Sequence, residues 1–145
     1  MALLMFRRNK KIGSRLIQWA TQYRWSHVGV LCEDGYVYHS DASGAHKVTL
    51  EEFQKDSEID FMTLLGDANQ MLARAQSRVG SKYDFPALFW FGLVLLLKRF
   101  SIKLPKLVIN PRWIVCSEYA EYIVFGTTET LLPQELAMKI LKNDL

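Results

Sequence analysis

Hydrophobic and polar positions change period several times along the chain, and each change marks an element. Over the stretch that begins at Ile12 and ends at Tyr23, the apolar residues Ile12, Leu16, Ile17, Trp19 and Ala20 fit one helical face, with Ser14 and Arg15 outward. Two β-rich runs, Ser26 to Leu31 and Tyr36 to Ser40, flank Glu33-Asp34-Gly35, and an Asp-Gly pair between such runs predicts a hairpin. A second turn, Ala42-Ser43-Gly44, leads to Lys47-Val48-Thr49-Leu50. There Thr49 and Glu52 form a capping box that opens a short helix. Ile59 to Leu65 reads as a strand. Asp67 to Val79 reads as a helix with Met71, Leu72 and Ala75 on one face and Gly80 as its stop. Pro105 and Pro111 mark a loop before Trp113-Ile114-Val115-Cys116. The helical stretch from Ser117 to Phe125 ends at Gly126, and a last helix starts at Pro133. With no internal repeat or linker, residues 1–145 read as a single α+β domain.

Composition narrows the function classes. A chain of 145 residues with half its positions hydrophobic can bury a core without disulfides or a structural metal. The formal charge of +3 is small, and its densest run, Arg7, Arg8, Lys10 and Lys11, reads as a solvated turn, so no nucleic-acid partner is expected. Two distant cysteines make no disulfide framework, and the apolar start from Met1 to Phe6 gives way to charges too early for a secretory signal. The expectation is a cytoplasmic protein, with release or delivery outside the cell by a signal-independent route as the variant. From Phe85 to Leu97 the sequence reads FPALFWFGLVLLL, shorter than the ~20 residues a membrane helix needs. It is expected as a buried helix, with lipid or membrane contact as the alternative.

Chemistry concentrates on one cysteine and the histidines. Cys116 falls at the start of a predicted helix, where unpaired N–H groups and the helix dipole favour a thiolate and lower its pKa. Cys32 shares a strand face with Val28 and Val30 and reads as a small core residue. A thiol needs a base, and His27, His39 and His46 are the candidates. His27 precedes Gly29, which leaves room for a close approach. A two-residue turn at Asp34-Gly35 would set residue 30 opposite 39 and put His27 and His39 on opposite faces. A three-residue loop, Glu33-Asp34-Gly35 with Gly35 left-handed, sets 29 opposite 39 and puts both imidazoles on one face. The three-residue loop is therefore predicted. His27 would then take the Cys116 proton while His39 orients it. The backbone N–H of Cys116 and a nearby donor would hold the oxyanion; Tyr83, in the polar loop Gly80-Ser81-Lys82-Tyr83-Asp84, is the candidate donor, with plain packing as its alternative role. No cofactor is expected. A zinc site from His27, His39, His46 and a cysteine lacks the close ligand spacing usual for such sites.

At these residues the chain resembles the NlpC-type superfamily of papain-like cysteine peptidases, in its circularly permuted branch. The resemblance rests on His27-Val28-Gly29-Val30, on His39 in Val37-Tyr38-His39-Ser40, on Tyr83-Asp84 and on Cys116-Ser117-Glu118. Here the histidine strands precede the cysteine helix, which is the permuted order. The resemblance implies a small antiparallel sheet packed on the cysteine helix and hydrolysis of an amide bond in a peptide or isopeptide, often in cell-wall peptides. Permuted relatives also include acyltransferases and lipid-directed hydrolases. These would use the same Cys116 and His27, with the apolar segment receiving an acyl chain. A non-catalytic binding or structural protein on the same fold is the reading from another class.

Overall fold

Alternating turn signals and short apolar runs produce a sheet with helices on both faces. The computed structural model describes residues 1–10, 24–83, 115–129 and 133–143, together with Arg15, Leu93 and Leu97. The chain order is β1 (Ala2–Asn9), β2 (His27–Leu31), β3 (Tyr36–Asp41), β4 (Gly44–Thr49), α1 (Leu50–Gln54), β5 (Ser57–Leu64), α2 (Ala68–Arg78), α3 (Cys116–Phe125) and α4 (Pro133–Asn143). The five strands form one antiparallel sheet in the order β4-β3-β2-β1-β5, and the fold is α+β. The helix expected over residues 12–23, the apolar run of residues 85–97 and the Pro105–Pro111 loop lie outside the described residues, apart from the three isolated positions just named.

Arg7 and Arg8 correct the sequence reading, because they belong to a strand and not to a solvated turn. β1 lies inside the sheet, with Arg7 opposite His27 on one side and Ile59 on the other. The physical reason is the run before them. Leu4 and Phe6 enter one core and Met5 the other, so the strand is apolar on both faces and lacks a period-two signature. Arg8 then donates from Nε to Glu58 Oε2 at 2.7 Å, and Arg7 from Nη1 to the Phe53 carbonyl at 3.2 Å.

One sheet face carries Leu4, Phe6, Val28, Val30, Tyr38 and Ala45 against α2, α3 and α4, which contribute Met71, Tyr119, Ile123, Leu136 and Ile140 among others. The other face holds Met5 and Val37 under Phe53 of α1. Burying a side chain such as Phe53 contributes roughly 1.5–3 kcal/mol, enough to pin a helix of five residues that could not stand alone. Local signals set the helix ends. Thr49 Oγ1 accepts the Glu52 N–H at 3.2 Å, and Asp67 caps α2 through the N–H groups of Asn69 and Gln70. Gly126, at φ +80°, closes α3.

Candidate functional site

The loop between β2 and β3 has the predicted form. Cys32 N–H donates to the Tyr36 carbonyl at 3.0 Å, Gly35 N–H donates to the Cys32 carbonyl at 3.0 Å, and Gly35 is left-handed at φ +82°. Gly29 therefore pairs with His39. His27 and His39 share a face, and His27 Nε2 lies 2.9 Å from His39 Nδ1, with the two rings nearly perpendicular at 88°. Gly29 makes this approach possible, since a Cβ there would lie 2.8 Å from Val37 Cγ1, 3.1 Å from Phe53 Cε2 and 3.2 Å from His39 Cβ.

The next hairpin adds Asp41, which sequence reasoning did not name, and His46, which it named as a candidate base but left out of the triad. The two residues Ala42-Ser43 link Asp41 to its partner Gly44, which sets His39 directly opposite His46. Asp41 lies two positions beyond His39 and so on the same face. Its Oδ1 accepts the Ser43 N–H at 2.8 Å, and its Oδ2 lies 3.7 Å from His46 Nε2. His46 Nδ1 donates to the Gly44 carbonyl at 2.9 Å, and the His39 and His46 rings are 4.4 Å apart. One ligand atom from each of His39, Asp41 and His46 lies within 4.8 Å of the others. The signal was available in the turn Asp41-Ala42-Ser43-Gly44, whose length fixes the register of the second hairpin as the Gly35 loop fixes the first.

Burial and neighbouring positive charge keep the imidazoles of His27 and His39 neutral. Burial is the largest cause holding His27 well below the usual histidine value, followed by His39, Arg7 and His46. His39 is pushed down to about 4 by burial first and then by His46, against the opposing pull of Asp41. Arg7 is, after Asp41, the second group missed in the sequence: it faces His27 across the strand pair, and its guanidinium carbon lies 5.2 Å from the Phe53 ring centre.

Cys116 is the first residue of α3, as predicted, and the Glu118 carboxylate accepts the Val115 N–H at 3.1 Å to cap that helix. Its thiol, however, departs from the expected low pKa. Burial pushes it up to about 11, although the backbone N–H groups of Val28, Ser117 and Cys116 itself pull the other way. The dipole of a ten-residue helix is outweighed because the sulfur is packed into the core beneath the sheet. Among the described residues no hydrogen bond joins Cys116 to either histidine. The cysteine packs with the Val28 and Val30 layer, whereas His27 and His39 lie on the Phe53 face. Cys32 packs with that same helix-side layer, as expected, and burial raises its thiol to about 12. The loop leading to Tyr83 is tied to β4, since Ala45 N–H donates to the Ser81 carbonyl and Gly80 N–H to the Ala45 carbonyl, both at 2.8 Å.

Two open clefts lie elsewhere. One, of about 1030 Å³, is lined by Arg7, Arg8, Lys10 and Arg15 with Glu52 and Glu58 among others. The second, of about 790 Å³, runs between Phe6, Trp25 and Phe61 and the Met138 side of α4. Neither is lined by Cys116 or by the histidines. No helix among the described residues is long and apolar enough to cross a membrane. Compared with models of protein families the chain matches none, and no curated protein matches it.

Proposed function

We propose that the protein is a cysteine hydrolase of the papain-like, NlpC-type kind in its circularly permuted order, cleaving an amide bond in a peptide or isopeptide. Cys116 is the nucleophile, His27 its base and His39 the residue that orients His27. The observation that carries this reading is the 2.9 Å contact between His27 Nε2 and His39 Nδ1, formed on the register that the reading requires. It is supported by the N–H of Val28, the residue after His27, which lies close enough to the Cys116 sulfur to stabilise its charged form.

Chemistry follows from the neutral resting pair. With a thiol value of about 11, only about one molecule in ten thousand carries a thiolate at pH 7, so the proton must leave as the sulfur attacks. His27 Nε2–H donates to His39 Nδ1, which leaves His27 Nδ1 as the base. It takes the thiol proton as sulfur bonds to the amide carbon. The resulting imidazolium gives that proton to the leaving amine, and water then hydrolyses the thioester. The Cys116 N–H, with Tyr83 as partner, receives the oxyanion.

The test is hydrolysis of a panel of peptide and isopeptide amides, read beside iodoacetamide labelling of each cysteine by peptide mass spectrometry. Cys116→Ala abolishes turnover, His27→Ala lowers it by about 10²–10⁴-fold, and Cys32→Ser leaves it intact. Labelling of Cys116 between pH 6 and 8 slows when His27 is replaced by Ala. A labelling rate indifferent to His27, with no amide cleaved, would sink the reading.

A further inference from the structure

The register of β3 and β4 gathers three metal-ligating side chains at one end of the sheet, and their hydrogen bonds are those of a prepared site. His46 gives its Nδ1–H to the Gly44 carbonyl at 2.9 Å, which leaves the Nε2 lone pair exposed and aims it at Asp41 Oδ2, 3.7 Å away. The Asp41 carboxylate is held by the Ser43 N–H through its other oxygen. His39 is directly opposite His46, and its Nδ1 is engaged by His27, which leaves Nε2 as its nitrogen for a ligand. One ligand atom from each of the three residues lies within 4.8 Å of the others. Tetrahedral zinc with bonds of about 2.0–2.2 Å needs donors about 3.4 Å apart, so closing the set asks for side-chain adjustments of about an ångström. His46 and Asp41 are partly exposed, which gives an ion a way in, and three protein ligands leave a fourth position for water. The sequence argument against a metal rested on the absence of a close spacing within one segment, whereas here the strand pairing supplies the closeness.

We propose that His39, Asp41 and His46 bind one zinc-class divalent ion, and that its binding sets which way the proton between His27 and His39 points. A metal on His39 Nε2 requires that nitrogen to be deprotonated, so the His39 proton sits on Nδ1 and is donated to His27 Nε2. His27 then carries its own proton on Nδ1, the atom that serves as base in the reading above. A filled site therefore holds His27 in the tautomer that cannot accept the thiol proton, and the ion acts as a reversible inhibitor. This inhibitory consequence rests on the hydrolase reading. The site and the tautomer do not.

The experiment is a titration of the full-length protein with Co²⁺ and Zn²⁺. Co²⁺ absorption reports the ligand field, and long-range proton–nitrogen NMR reports which nitrogen of His27 is protonated. Expected are one saturable equivalent, visible bands without a thiolate-to-cobalt band, and transfer of the His27 proton to Nδ1 when Zn²⁺ is added. His46→Ala and Asp41→Asn each weaken binding by more than the about 10–100-fold that loss of an outer partner costs. Circular dichroism of the metal-free variants, both altered at partly exposed positions, establishes that they fold. No saturable binding, a thiolate band, binding indifferent to His46→Ala and Asp41→Asn, or a His27 tautomer unmoved by zinc would each overturn the proposal. Failure of the hydrolase reading looks different: cobalt binds and the tautomer shifts, yet Cys116 labelling ignores His27→Ala in metal-free protein.

Discussion

The surroundings of His27 and His39 hold both imidazoles neutral, and that neutrality has a thermodynamic consequence. Both have folded-state values below the unfolded one of ~6.5, His39 at about 4 and His27 well below. Below pH 6.5 the unfolded chain therefore binds protons that the native state refuses. The stability contributed by the neutral pair is present above 6.5 and is lost as pH falls toward 4. Urea unfolding should show a flat stability from pH 7 to 8 and a loss on the order of a few kcal/mol by pH 4. In His39→Gln, which keeps a polar partner for His27 but cannot protonate, the acid slope is shallower. Equal slopes in the two proteins would mean that other groups govern the acid limb. The same burial explains why the Cys116 thiol could not be read from the sequence. Its place at a helix start is local information, but the desolvation that raises it to about 11 comes from elements distant in the chain.

At the scale of elements, legibility followed the turns. The Gly35 loop, the Thr49 and Asp67 caps and the Gly126 stop each announce a boundary by local chemistry, and the strands and helices beside them stand where the sequence put them. β1 was illegible because a strand apolar on both faces has no alternation to detect, and Asp41 joins the site, with the candidate His46 set opposite His39, only through a pairing that joins two strands. The start of β4 offers a direct test. Gly44 is left-handed at φ +95°, and a Cβ there would lie 2.4 Å from the Ser81 carbonyl oxygen, a backbone atom that cannot swing aside. Gly35 has a similar φ of +82° but open space around it. Gly35→Ala should therefore cost only the conformational penalty of about 1–2 kcal/mol, whereas Gly44→Ala adds a clash and costs upward of about 3 kcal/mol. Hydrogen exchange should also quicken at the Ala45 and Gly80 amides in Gly44→Ala, since both bonds tie β4 to the loop that leads to Tyr83. Equal costs for the two substitutions would mean that the loop moves away freely and does not depend on the glycine.

The whole molecule holds the cysteine helix against the sheet from two sides. α2 reaches it through Tyr119 Oη, which donates to the Ala75 carbonyl at 2.6 Å, and through Arg74 Nη1, which donates to the Val124 carbonyl at 2.9 Å. α4 reaches it through Glu121, a fully buried carboxylate that accepts from Thr127 Oγ1 at 2.6 Å, Lys139 Nζ at 2.7 Å and the Glu129 N–H at 2.8 Å. The lysine brings a full positive charge to the buried carboxylate, so Lys139→Met takes a charge-assisted partner away from Glu121. Because Lys139 is partly exposed, the loss should fall below the about 3–5 kcal/mol of a fully buried pair. Replacing Glu121 by Gln in the same protein removes the buried negative charge and should recover part of that loss. The cysteines report how the molecule yields. Cys32 flanks the β2–β3 loop and Cys116 begins α3, both buried. If α3 and α4 open together while the sheet stays formed, Lys139→Met accelerates alkylation of Cys116 far more than of Cys32. If both thiols accelerate by the same factor, the domain opens only as one unit, and Cys116 is then guarded by the stability of the entire fold.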